Sequence, residues 1–111
     1  MTLHEGEIPP GTLYLLILKT LARGAEMHGY EIANSIQQIS DEVLQVEEGS
    51  LYPALQRMLI KGWVTAKWGA TAENRRARYY WLTPSGRKQL EVEVSQFQRV
   101  VEAITRVLQT A

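Results

Sequence analysis

The chain has 111 residues, of which 45% are hydrophobic and 22% charged, with no cysteine and a formal net charge of zero. That length suits one domain rather than two, the hydrophobic share excludes a disordered chain, and the missing cysteines exclude a disulfide scaffold, a thiolate nucleophile and any Cys-ligated metal. The longest apolar run, Leu13–Leu18, falls far short of the ~20 residues of a membrane span, and the polar start at Met1–Glu5 is not a signal peptide, so a cytoplasmic protein with no membrane partner is expected.

Ile8-Pro9-Pro10 reads as a stiff, extended lead-in. Thr12 then offers an N-cap to a first helix ending at Arg23, with Gly24 as its stop signal. Apolar residues lie nearly all round that helix, which predicts burial on most sides. The spacing of Ile32, Ala33, Ile36 and Ile39 predicts a second helix over Met27–Ser40, with Glu31, Asn34, Gln37 and Gln38 on its wet side. So short a connection is that of a helical hairpin.

An acidic linker, Asp41–Glu48, leads to a third helix. Ser50 is its expected N-cap, Pro53 falls in the first turn, and Gly62 stops it. At 100° per residue, Leu51, Ala54, Leu55, Met58 and Leu59 share one side. Tyr52, Pro53, Gln56, Arg57 and Ile60 face the other, which carries no acid.

The period then changes. Trp63–Trp68 and Ala77–Thr83 are rich in aromatic and β-branched residues and predict two strands. The polar stretch Gly69–Arg76 between them is a loop longer than the common hairpin turns. After Thr83-Pro84-Ser85-Gly86, the residues Leu90, Val94, Phe97, Val101, Ile104 and Leu108 step by four and three in alternation, a heptad pattern on a terminal helix. Val100 and Val107 widen the stripe.

The zero net charge hides a division. Residues 1–48 carry eight acidic against two basic side chains, a net −6. Residues 49–90 carry eight basic against one acidic, a net +7. Residues 91–111 are at −1, with three acidic against two basic. The middle block therefore suits a polyanionic partner.

Element order and charge together predict a mainly α chain with a β-hairpin wing, an α+β winged helix-turn-helix over residues 1–83, and a C-terminal dimerisation helix over 84–111. A major groove about 12 Å wide admits the outer face of the third helix. Tyr52 and Gln56 are the candidates for base edges, beside Pro53, while Arg57 and Lys61 suit phosphates. Asn74, Arg75 and Arg76 at the hairpin tip, with Lys67 and Arg78 on its flanks, can reach phosphates or a minor groove. Tyr30 either donates to a phosphate or packs with His28. Ser50 caps its helix and can also touch a phosphate. Arg87 and Lys88 oppose the helix dipole, which a nearby phosphate or surface chance would explain.

The stripe from Leu90 to Leu108 has too little core within one chain to cover it. A twofold homodimer buries it, and its symmetry asks for a palindromic double-stranded DNA operator. No residue pattern calls for a cofactor. An enzyme is not expected, since His4 and His28 are the only imidazoles and no phosphate loop or nucleophile elbow is present. His28 and Glu31, one turn apart, are two metal ligands without a third. A protein-interaction module whose basic strip meets an acidic surface stays open on these grounds.

Several spaced motifs carry a resemblance: Gly11-Thr-Leu-Tyr-Leu-Leu-Ile-Leu, Met27-His-Gly-Tyr-Glu-Ile, Glu47-Glu-Gly-Ser-Leu-Tyr-Pro-Ala-Leu, Gly62-Trp, and Arg78-Tyr-Tyr-Trp-Leu-Thr-Pro-Ser-Gly. Over about residues 9–90 the chain resembles the PadR family of transcriptional regulators, in particular its smaller subfamily with a single C-terminal helix. The resemblance implies a homodimeric winged-helix DNA-binding protein, most often a transcriptional repressor. It also implies that small aromatic or drug-like molecules serve as inducers for some members.

Overall fold

The structure, a computed structural model, describes residues 8, 11–24 and 26–111. The acidic tail with His4 and the Pro9-Pro10 lead-in lie outside the described residues. Helix α1 spans Leu13–Arg23 and buries Ile17, Leu18, Thr20 and Leu21, with Lys19 and Arg23 in solvent. The burial on most sides follows from its nearly continuous apolar surface. Thr12 stands at the N-cap position without a side-chain capping bond. Gly24 ends the helix in an extended conformation, not the left-handed one that favours glycine as a stop.

The expected second helix starts two residues late. Met27 and His28 form a short strand, β1, and α2 runs from Gly29 to Ile39. His28 is its N-cap. The Nδ1 atom accepts from the Glu31 amide, and the Glu31 carboxylate accepts from the His28 amide at 3.0 Å. This reciprocal box satisfies two donors that a helix start leaves open. At the far end, Asp41 and Glu42 donate back to the carbonyls of Gln38 and Gln37, with both residues at positive φ (56° and 68°).

Leu44 and Val46 dock on the core and bring the chain into α3, Glu48–Ile60. The N-cap is Glu47, not Ser50, which lies exposed in the first turn. The apolar anchor points upstream fix where the helix begins and override the local preference of serine. Pro53 therefore sits inside α3, beyond its first turn, on the outer face. Its missing N–H leaves the Gly49 carbonyl without the usual helix partner. Gly62 closes the helix at φ 77°, donating to Leu59 while Trp63 donates to Met58.

Strand β2, Val64–Ala70, runs two residues past the expected stretch, and β3, Arg76–Leu82, has the expected length but starts and ends one residue earlier. Gly69 pairs with Ala77 and Ala70 with Arg76, so the expected long loop contracts to residues 71–75. The sheet has the antiparallel order β1-β3-β2, with Met27 opposite Tyr80 and His28 opposite Tyr79. Helix α4, Pro84–Leu108, is 25 residues and about 37 Å long. Thr83 caps it by accepting from the Gly86 amide, and the same hydroxyl reaches the Gly62 and Trp63 carbonyls.

One core joins these parts: Ile17, Leu18 and Leu21 of α1, Ile32 and Ile36 of α2, Leu51, Ala54, Leu55 and Met58 of α3, and Val64, Tyr80 and Leu82 of the sheet. Each large side chain among them contributes about 1.5–3 kcal/mol. Leu90 of α4 packs against this core within its own chain. Beyond it, Phe97, Val100, Val101, Ile104, Val107 and Leu108 are exposed.

Candidate nucleic-acid interface

The outer face of α3 follows directly from its inner one. Leu51, Ala54, Leu55 and Met58 are buried, which turns Tyr52, Pro53, Gln56, Arg57 and Ile60 into solvent. The two sets match the sides expected from helical spacing. The face begins next to α2. Gly29 leaves room for Tyr52, since a Cβ there would lie 2.7 Å from the Tyr52 hydroxyl. Tyr30, the next residue of α2, is 72% exposed.

At the other end of α3, aromatic rings hold the basic side chains. Arg57 donates from Nε to the Tyr14 hydroxyl of α1 at 2.6 Å. Tyr14 meets Trp63 edge-on at 5.5 Å, and the Lys61 ammonium lies 5.1 Å from the Trp63 ring centre. Such cation–π contacts order the charges without neutralising them.

The hairpin contributes a second set. Asn74 takes the left-handed conformation, φ 60°, that closes the turn, a role asparagine tolerates better than most residues. Thr71 stabilises the turn by donating to the Arg75 carbonyl and accepting from the Asn74 amide. Arg75 is exposed at the tip. Register then sorts the flanking charges. Trp68 faces Arg78 and Ala70 faces Arg76, so both arginines share one face with Trp68. Lys67 faces Tyr79 on the opposite side and pairs with Glu26 at 3.2 Å. The two flanking residues singled out from sequence thus point opposite ways, and Arg78 is the one on the arginine face.

Tyr80 links this face to α3. Burial pushes its phenol above the usual range, the Arg78 guanidinium opposes that shift, and Tyr52 adds to it. Sequence reasoning missed Tyr14, Gly29, Trp63 and Trp68 as supports of the charged face. Their roles depend on which residue lies opposite, which periodicity does not give. Among the described residues, no group of three or more His, Cys, Asp or Glu could hold a metal ion. No helix of the described residues is long and apolar enough to cross a membrane.

A helical core with an outward-turned third helix, followed by a hairpin with basic side chains, defines a winged helix-turn-helix protein. Residues 17–92 match the transcriptional regulator PadR-like family, and the chain belongs to that family of regulators rather than to an enzyme class. The fold is similar to that of a transcriptional regulator from Clostridium thermocellum, with 28% identity, 86% of this chain and 92% of the other covered, and a TM-score of 0.78. It is similar to a PadR-like transcriptional regulator from Bacillus cereus at 28% identity, covering 91% and 95% of the two chains, with a TM-score of 0.74. A PadR family transcription regulator from Clostridium difficile is 27% identical over 88% of this chain and 99% of its own, with a TM-score of 0.72.

Proposed function

We propose that the protein is a cytoplasmic, homodimeric repressor that occludes a promoter by binding a palindromic operator. The acid-free outer face of α3 beyond its first turn carries this reading, because Tyr52, Pro53, Gln56, Arg57 and Ile60 are all exposed among the described residues. Tyr52 and Gln56 read base edges beside Pro53, with glutamine suited to bidentate contact with adenine. Tyr30, Ser50, Arg57 and Lys61 contact phosphates, and Asn74, Arg75, Arg76 and Arg78 extend the footprint along the backbone. Residues 1–83 form the DNA-binding unit, and 84–111 join two copies through Val94, Phe97, Val101, Ile104 and Leu108, with Leu90 at the root of the seam.

Titration with duplex DNA at two salt concentrations tests the reading. Affinity must fall steeply as salt rises, since each neutralised phosphate adds about one unit to the log–log slope. Salt-independent or absent binding overturns it and favours a protein partner for the basic strip.

A further inference from the structure

The geometry points to Trp68 as a positioning residue whose indole holds Arg76 and Arg78 together to clasp a phosphate of the DNA backbone. The inference rests on the DNA-binding reading above and adds to it a residue that carries no charge. The Arg76 guanidinium carbon lies 4.5 Å from the Trp68 ring centre and that of Arg78 lies 5.8 Å away. Trp68 is 57% exposed. Along the same face of the hairpin, Tyr80 is buried in the core, so the core has room for large rings at its root but does not take this one.

Among the described residues no carboxylate lies within ion-pair distance of either guanidinium. Among the described residues the one lysine or arginine paired with a carboxylate is Lys67, with Glu26, so the carboxylate paired with the hairpin serves its opposite face. The Nε atom of Arg78 is shut off from solvent and has no hydrogen-bond acceptor. The ring therefore does the holding that hydrogen bonds do elsewhere. Two like charges gathered at one ring repel each other, and an anion placed between them removes that repulsion. Planar guanidinium forks match phosphate oxygens. A flexible pair would have to be ordered on binding, whereas this pair is ordered beforehand.

The test measures affinity of the full chain for duplex DNA in wild type, Trp68→Leu, Trp68→Phe, Arg76→Ala/Arg78→Ala and the triple variant with Trp68→Leu. Trp68→Leu should weaken binding about three- to tenfold, and Trp68→Phe, which keeps a ring, should restore most of it. In the background lacking both arginines, Trp68→Leu should cost nothing further. An equal loss in both backgrounds, or no loss in the wild type, overturns the inference. A readout without DNA separates the two levels. The side-chain protons of Arg76 and Arg78 should show ring-current shifts in wild type that vanish in Trp68→Leu. If those shifts are present and wild type fails to bind duplex DNA, the functional reading falls and the phosphate with it. If the shifts are absent, the platform itself is wrong.

Discussion

Arg57 of α3 is tied to Tyr14 of α1 by a 2.6 Å hydrogen bond from its Nε. The same ring lies 5.7 Å from the guanidinium carbon. A side chain on the outward face of α3 is thereby aimed by a helix that does not belong to that face.

Removing only the hydroxyl isolates this effect. Tyr14→Phe keeps the ring against Trp63 but frees Arg57. Affinity for duplex DNA should fall about two- to fivefold, the worth of one hydrogen bond. The loss should be the same for every DNA sequence, because phosphate contacts carry no sequence information. Competition binding with operator and random duplexes checks this. A loss confined to the operator would make Arg57 a reader of bases.

Gly86 allows α4 to lie against the end of α3. A Cβ there would overlap the Trp63 carbonyl oxygen, a backbone atom that cannot swing aside. Gly86→Ala should cost about 3 kcal/mol, measured by urea denaturation. A near-neutral result would mean that the start of α4 can shift bodily.

Asp41 holds a left-handed conformation at φ 56° that glycine adopts freely. Asp41→Gly should stabilise the fold by about 0.5–1 kcal/mol, read as a higher denaturation midpoint. A loss of stability would show that the aspartate carboxylate compensates for the backbone strain.

Gly29 and Tyr52 test recognition apart from stability. The Cβ of Gly29→Ala meets the free end of the Tyr52 ring, at 2.7 Å from Oη and 2.8 Å from Cε1. That end can move, so stability should change by less than about 1 kcal/mol. Base preference should change as it does in Tyr52→Ala, by binding-site selection. Unchanged preference would remove Tyr52 from the reading face.

The two sides of α3 were legible in the sequence because each residue's burial follows from one period and one core. Strand β1 was not, since Met27 and His28 are too short a run to alternate and gain their identity from Tyr80 and Tyr79 across the sheet. Ser50 misled because it has the chemistry of a cap, while Leu44 and Val46 decide where α3 starts. The hairpin was drawn too short because Gly69 and Ala70 are poor strand formers held in place by their partners on β3. The charged residues of the face were visible by type. Their supports were not, because an aromatic ring has no period that says which cation it faces.

Phe97 and Val101 are 44% and 42% exposed on the outer length of α4. Val101→Glu places a carboxylate in the middle of the proposed seam, where two copies would be desolvated across a twofold axis. The variant should be monomeric at micromolar concentration by light scattering and should lose specific operator binding. A dimer of unchanged affinity would move the seam elsewhere on the helix.

The Thr83 hydroxyl meets the carbonyls of Gly62 and Trp63, just past α3, and the amide of Gly86, just inside α4. One side chain thus joins the two helices where a linker would otherwise give them independence. Any pairing of copies through α4 then carries α3 with it at a set angle, like marks engraved on a ruler. A dimer built this way would measure the distance between half-sites as strictly as it reads their bases, and inserting base pairs between them should defeat its binding where a hinged relative would adjust.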